Sequence, residues 1–306
     1  MFASVTNRMR YSMALVGCAI LLAAMTACDS GSQSGTKPII KIGSKQFTEH
    51  LIVGNMYALI LEDAGYTVER KLNLGGTAVV HQALVSGELD MYAEYTGSAL
   101  AAILKLPLQT DQQQVYDTVK REYDSQFKLT WLDPIGFNNT YAIALPQAKA
   151  AEMGITKISD LKGKAESMTI AGSQEFLSRA DGLPGLESAY GIKFKDSKGM
   201  DSGLVYQAVA AGQVDIASGN STDGRIAVLN LVLLEDDLPF FPPYYIAPVV
   251  RQDTLAKDPE LATVLNKLAG KIDEKTIAGL NLQVDDEKKE PADVARTFLK
   301  ENGYIK

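Results

Sequence analysis

The residues best suited to chemistry lie where a short strand gives way to a helix. In Gly87–Leu100 (GELDMYAEYTGSAL), apolar and polar side chains alternate from Leu89 to Glu94, and Tyr95-Thr-Gly-Ser98 follow. Ligands of open α/β sheets lie outside the carboxyl ends of such strands. A helix that we predict to begin at Ala99 would also offer free N–H groups to an anion. Taken alone, these residues are explained more simply by an ordinary strand-to-helix turn.

The composition is that of a globular protein and narrows the function classes. Of the 306 residues, 46% are hydrophobic and 22% are charged, which suffices for two domains or one large one. The net charge is −7 and there is no basic run, so we expect no nucleic-acid partner. Only two His and two Cys occur, and neither a Walker phosphate loop nor a Gly-x-Ser-x-Gly elbow is present. We therefore expect no metal site and no cofactor, and the missing motifs make an enzyme a weaker hypothesis without excluding it.

The first 27 residues have the pattern of a targeting segment. Arg8 and Arg10 precede an apolar run, Tyr11–Ala24, which has the length of a signal-peptide core. Small residues then lead to Cys28, as in a bacterial lipobox. We predict a lipoprotein signal peptide over 1–27 and lipidation of Cys28, and a plain secretory signal peptide is the alternative. Removing residues 1–27 takes away two Arg and no acids, which leaves a net charge of −9.

The next residues form a tether and then an alternation of strands and helices. Residues 28–38 are rich in Ser and Gly and poor in apolar side chains, which indicates a flexible tether. After them the pattern predicts a strand at 39–43, a helix from the N-cap Thr48 to about Ala64, a strand at 66–72 and a helix from Thr77. This order is typical of a mostly parallel sheet with helices on its faces.

The pattern then begins again. A strong strand at 137–145 is followed by strands and helices whose segment Gln207–Asp215 has the same form as His81–Asp90. An aromatic, proline-rich segment, Phe240–Val250, leads to a helical tail. We expect two similar α/β lobes, one of residues 39–142 plus 246–306 and one of residues 143–245.

Six short motifs resemble those of the osmoprotectant-binding proteins of ABC importers, which bind glycine betaine, choline, carnitine or proline betaine. They occur in the order Lys41–Glu49, Asn73–Thr77, Gly87–Asp90, Glu94–Gly97, Ser221–Arg225 and Pro242–Tyr244. The resemblance runs from about Ile39 to the C-terminus. It implies a two-lobed periplasmic-binding-protein fold of type II with the ligand in the interlobe cleft, and a box of tyrosines around a quaternary ammonium group.

Carried onto this sequence, the resemblance assigns six residues to two ends of a ligand. Tyrosine π-faces suit a trimethylammonium group, which donates no N–H hydrogen bond, and each contact contributes ~0.5–2 kcal/mol. Arginine can hold a carboxylate with two parallel hydrogen bonds, whereas lysine acts as a point charge. The implied ligand residues are Tyr95, Tyr141 and Tyr244 for the ammonium head, and Lys45, Ser98 and Arg179 for the tail.

Asn220 departs from the family pattern. Much of the family has a tyrosine just before Ser-Thr-Asp-Gly-Arg, and here that position is the last of Ser218-Gly-Asn220. An asparagine offers hydrogen bonds instead of a π-face, so we expect an incomplete box unless Tyr245 or Phe137 fills the gap. The alternative is that Asn220 binds a polar group on a different solute.

The resemblance implies a membrane-tethered, non-enzymatic receptor that delivers a glycine betaine-like solute to an ABC permease. We expect a monomer on the periplasmic side of the inner membrane, or on the outer face of the cell membrane in a Gram-positive cell. A binding protein for a more polar solute is the first alternative. An enzyme on the same fold is the second, with Glu94 or Asp223 as its candidate acids, but neither has a His partner in the sequence. We expect Arg225 to be structural.

Overall fold

The computed structural model describes residues 37–306 and contains two separate five-stranded sheets. The predicted signal peptide, Cys28 and most of the tether lie outside the described residues. The strands are β1 Ile39–Gly43, β2 Thr67–Lys71, β3 Met91–Tyr95, β4 Leu129–Trp131, β5 Tyr141–Pro146, β6 Thr169–Gly172, β7 Asp196–Gly199, β8 Ile216–Asn220, β9 Leu231–Leu233 and β10 Ile246–Arg251.

The two sheets have the same topology. The first has the order β2-β1-β3-β10-β4 and the second β7-β6-β8-β5-β9. In each sheet three strands pair in parallel, and the strand that arrives from the other sheet, β10 or β5, pairs antiparallel with both its neighbours. The strands therefore divide as the predicted lobes do, except that β5 begins two residues before the predicted boundary. The exact lobe limits stay a prediction.

Helices cover both sheets. They are α1 Thr48–Asp63, α2 Thr77–Ser86, α3 Gln112–Phe127, α4 Gln147–Met153, α5 Gln174–Ser178, α6 Leu183–Tyr190, α7 Val205–Ala210, α8 Arg225–Val228, α9 Gln252–Lys257, α10 Glu260–Leu265, α11 Glu274–Asp285 and α12 Pro291–Glu301. Most of α1 is buried, because α10, α11 and α12 pack against it. The C-terminal helices thus complete the core of the first sheet.

Four local predictions were wrong at the level of individual residues. Thr48 is the first helical residue and does not cap α1, because its hydroxyl donates to Asp285 Oδ1 at 2.5 Å. The helix expected from Ala99 begins at Thr96 with one α-helical turn and continues as a π-helical turn to Ile103. The strand expected over 137–145 is confined to β5, and the helical tail, which we expected to contain helices over 261–270 and 291–302, also contains α11.

The two segments that connect the sheets, residues 132–140 and 234–245, run side by side in opposite directions. Asn138 and Tyr245 form an antiparallel bridge, and the Asn139 N–H donates to the Tyr244 carbonyl at 3.1 Å. The Asn138 side chain also accepts from the Tyr244 N–H at 2.7 Å. These connections hold the two sheets next to one cleft, and the site described below lies there.

Within residues 37–306, none of the helices is both long enough and apolar enough to span a membrane.

Candidate functional site

A cavity of about 480 Å³ lies between the two sheets and is lined by residues that both halves of the chain contribute. We call it the tyrosine cavity. All seven residues that the sequence assigned to the ligand line it, namely Lys45, Tyr95, Ser98, Tyr141, Arg179, Asn220 and Tyr244. Their segments are up to 199 residues apart in sequence, so the fold alone brings them together.

The three tyrosines reach the cavity from three different elements. Tyr95 ends β3, Tyr141 begins β5, and Tyr244 lies in the second connecting segment. The Tyr141 and Tyr244 rings meet edge to face with centroids 5.7 Å apart. Gly97 makes room for Tyr244, since a Cβ at Gly97 would lie 2.6 Å from the Tyr244 ring carbons. The glycine of the Tyr-Thr-Gly-Ser motif is therefore a packing requirement of the site.

Two of the tyrosine hydroxyls donate to buried carboxylates. Tyr95 donates to Glu49 at 2.6 Å, and Tyr244 donates to Asp181 at 2.5 Å. Burial, together with these carboxylates, raises the pKa of Tyr95 and Tyr244 well above 10, so both hydroxyls stay protonated. A hydroxyl that donates to an anion leaves more electron density on its ring, which favours a cation at the ring face.

Lys45 is a buried ion-pair partner. Its Nζ lies 2.6 Å from Glu94 Oε1 and 5.2 Å from the Tyr95 ring centroid. Glu94 also accepts from the Tyr92 hydroxyl at 2.9 Å and from the Tyr95 N–H at 2.6 Å. The lysine charge is therefore largely compensated before any ligand is considered.

Arg179 is also paired. Its Nε donates to Asp181 Oδ1 at 2.8 Å and its Nη2 to Asp181 Oδ2, so the guanidinium holds the carboxylate with two bonds. Its remaining N–H groups face Ser98 Oγ at 3.4 Å and Glu175 Oε2 at 3.3 Å. The guanidinium carbon lies 5.9 Å from the Tyr141 ring centroid. Arg179 thus joins the predicted head and tail ends of the site.

Glu175 spans the cleft and was missed by the sequence reasoning. It accepts from the Thr77 N–H at 2.7 Å and from the Thr77 hydroxyl at 3.2 Å. Glu175 belongs to the part of the chain that contains the second sheet, and it thereby holds the first turn of α2, which packs with the first sheet. Burial alone would raise the pKa of Glu175, but Lys45, Arg179 and the Thr77 bonds hold it below its usual value. Glu175 is therefore ionised at neutral pH.

Carboxylates outnumber cations around the tyrosine cavity. Lys45 and Arg179 are matched by Glu94 and Asp181, and Glu175 adds a further negative charge. Such a wall favours the cationic head of a ligand. A ligand carboxylate would have to share Arg179 with carboxylates already bound to it.

Phe47 supplies an aromatic face that the sequence reasoning did not find. It lines the cavity, and its ring stacks on that of Tyr95 with centroids 6.1 Å apart and planes 24° apart. Asn220 is the cross-strand neighbour of Tyr141, and its side-chain amide has no hydrogen-bond partner among the described residues. Neither Tyr245 nor Phe137 lines the cavity, and Phe47 is the one aromatic residue besides the three tyrosines among the described residues that line it. The sequence signal that could have identified Phe47 was an aromatic residue at a strand-to-helix turn, as at Tyr95.

Glu49 ties together four segments behind the cavity. Its two oxygens accept hydrogen bonds from Tyr95 at 2.6 Å, Asn139 at 2.7 Å, Thr222 at 2.6 Å and Asn281 at 3.0 Å. Burial is the largest influence on the pKa of Glu49 and raises it, although the four bonds oppose this. Glu49 orients Tyr95 relative to the connecting segments.

The two acids considered for an enzyme are both engaged in ion pairs. Glu94 is held by Lys45, and Asp223 binds Arg225 through contacts of 2.9 Å and 2.5 Å. Arg225 also lies 3.5 Å from Asp285, and these ion pairs fit the structural role expected for it, which stays a prediction.

Comparison with known proteins identifies the family. Residues 38–301 match the family model described as the substrate binding domain of the ABC-type glycine betaine transport system. The chain belongs to this family. It is accordingly a substrate-binding protein of an ABC importer and not an enzyme, and such proteins work outside the cytoplasm.

Individual relatives agree with this assignment. The chain is 37% identical to the carnitine transport binding protein OpuCC of Listeria monocytogenes, over 96% of both chains. It is 35% identical to the ergothioneine transport permease/ergothioneine binding protein EgtU of Helicobacter pylori, over 87% of this chain and 48% of that protein. A crystal structure of a glycine betaine/carnitine/choline ABC transporter is 33% identical, with a TM-score of 0.73 over 87% of this chain and 100% of that one. The two-lobed periplasmic-binding-protein fold is thereby confirmed.

Proposed function

We propose that the tyrosine cavity binds the trimethylammonium head of a betaine-like osmoprotectant through Tyr95, Tyr141 and Tyr244. Lys45, Ser98 and Arg179 face the tail, and Asn220 lies beside the head. The observation that carries the proposal is the convergence of these tyrosines on one cavity, with two hydroxyls donating to buried carboxylates. The solutes in the names of the relatives share a trimethylammonium group and differ in the rest.

Arg179→Ala tests the two ends of the site separately. A hydrogen bond to a charged group contributes about 1.5–3 kcal/mol, so glycine betaine should bind roughly 10- to 150-fold more weakly. Choline has no carboxylate and should lose much less. Calorimetry at fixed salt measures both affinities, with Arg121→Ala on the exposed face of α3 as the control. Equal losses for the two solutes would contradict the tail assignment.

The lipid anchor is a separate part of the proposal. Cys28 after small residues would be lipidated, and the tether of residues 28–38 would let a monomer reach its permease from the outer face of the cytoplasmic membrane. Cys28→Ser should move the protein from the membrane fraction to the soluble extracytoplasmic fraction. A variant that still fractionates with membranes would rule out this anchor.

A further inference from the structure

A second cavity of about 500 Å³ adjoins the tyrosine cavity. We call it the acidic cavity, since the residues that line it beyond the shared wall include Glu49, Asp223, Asp285 and Arg225. The wall shared by the two cavities consists of Gln46, Phe47, Asp201, Ser202, Leu204 and Asn220. Asn220 is thus part of the boundary between the cavities.

The shared wall carries polar groups with no protein partner. The side chains of Gln46, Ser202 and Asn220 make no hydrogen bond to another described residue, and none of the three is buried. They come from the turn before α1, the turn before α7 and the end of β8. Polar groups from separate segments that converge on a cavity are the usual means of fixing a ligand's orientation.

The size of the cavities points to more than a small betaine. One water molecule occupies roughly 30 Å³ in the liquid. If each non-hydrogen atom takes at most that volume, a solute of about eight such atoms, like glycine betaine, fills at most about 240 Å³. That is about half of the tyrosine cavity's 480 Å³, before the acidic cavity is counted. A longer ligand could keep its head against the tyrosines and extend past Asn220.

The charges of the acidic cavity define the kind of chemical group that this cavity would accept. Asp223 holds Arg225 with two bonds, and Glu49, Asp201 and Asp285 add carboxyl groups without a further cation among the described lining residues. A carboxylate tail would be repelled there. A neutral or cationic group with N–H or O–H donors would find acceptors in Asp201 and Asp285, since Glu49 already accepts four hydrogen bonds.

We propose that Asn220, Gln46 and Ser202 form a second subsite, separate from the carboxylate site. It admits a trimethylammonium solute that carries a further group with hydrogen-bond donors into the acidic cavity. This inference rests on the proposed function, since it needs the ammonium head in the tyrosine cavity. Asn220 then favours this solute class, because its side-chain amide offers hydrogen bonds at the boundary between the two cavities.

The test compares three betaines that share one head and one carboxylate. Histidine betaine adds an imidazole with an N–H donor to glycine betaine, and phenylalanine betaine adds a ring of similar size without a donor. We expect histidine betaine to bind at least tenfold more tightly than glycine betaine, as two added hydrogen bonds would give, one donated by the imidazole N–H and one accepted by the other ring nitrogen. Phenylalanine betaine should gain clearly less.

The variants Asn220→Leu and Gln46→Leu should each reduce the preference for histidine betaine over phenylalanine betaine by threefold or more. Gln46 is exposed at the rim, so its replacement does not endanger folding. Gln82→Leu, an exposed amide on α2 away from both cavities, is the matched control and should leave that preference unchanged.

Three results would overturn the subsite. They are equal binding of histidine and phenylalanine betaine, a preference for glycine betaine over both, and a preference that neither wall variant alters. In each case glycine betaine would still bind and the proposed function would stand. Failure of all three betaines to bind the wild type would instead refute the proposed function, and the subsite with it.

Discussion

Replacing Lys45 by methionine tests whether the buried ion pair behind the tyrosines is structural. The side chains of Lys45 and Glu94 are 4% and 0% exposed, with Nζ and Oε1 2.6 Å apart. Methionine fills similar space without the charge, so Lys45→Met leaves the buried Glu94 carboxyl without its ion-pair partner. Removing one partner of such a pair typically costs about 3–5 kcal/mol of unfolding free energy.

The lower end of that range is expected here. Glu94 keeps two hydrogen-bond donors, the Tyr92 hydroxyl at 2.9 Å and the Tyr95 N–H at 2.6 Å, which continue to stabilise its charge. We therefore expect Lys45→Met to lower the free energy of unfolding by about 3 kcal/mol. For a chain of this size that corresponds to a fall of about 6–12 °C in Tm.

The assay is urea unfolding of Lys45→Met, Glu94→Gln and the double variant at pH 7. The double variant should recover at least half of the loss, because no unpaired charge remains. Lys71→Met is the control, since its partner Glu69 is half-exposed and 3.5 Å away, and it should change stability by less than about 1 kcal/mol. A Lys45→Met protein as stable as the control would refute the reasoning.

The same double variant separates the two roles of Lys45. If Lys45 also contacts the ligand tail, as proposed, glycine betaine should bind the double variant at least fivefold more weakly while choline is little affected. Equal affinities for wild type and double variant would confine Lys45 to holding Glu94.

Two further predictions concern Asn220 and His81. Asn220→Tyr should tighten glycine betaine binding about five- to thirtyfold by adding a cation–π contact of ~1–2 kcal/mol, and calorimetry that finds unchanged or weaker binding would show that no π-face is missing there. Burial lowers the pKa of His81 from 6.5 to about 4, so between these values the unfolded chain binds a proton that the folded protein does not. Stability should therefore fall as pH drops from about 6.5 to 4, and His81→Leu should flatten that slope in urea titrations at pH 7 and 5 without removing the contribution of His50. An unchanged slope would mean that His81 does not titrate in this range.

The sequence by itself was enough for the order of the first strands and helices and for the family. Strand and helix periodicity depends on neighbouring residues, so β1, α1, β2, α2 and β3 could all be located from the pattern alone. Motifs such as Tyr95-Thr-Gly-Ser98 are contiguous and need no tertiary information to be matched. The tyrosines could be assigned to the ligand only through the resemblance, since a tyrosine near a strand end is more often interior packing.

Only the tertiary structure decided what each charged side chain does. Lys45 and Glu94 are 49 residues apart, Glu49 and Asn281 are 232 apart, and Thr77 and Glu175 are 98 apart. No local pattern links such partners, because their pairing depends on how two sheets and their connections pack. For the same reason the sequence missed Phe47 as a cavity residue and the acidic cavity beyond Asn220. The sequence determines which residue types occur and in what order. The balance of charges around the ligand site depends on distant segments, because the fold buries them together in an interior that screens charges weakly.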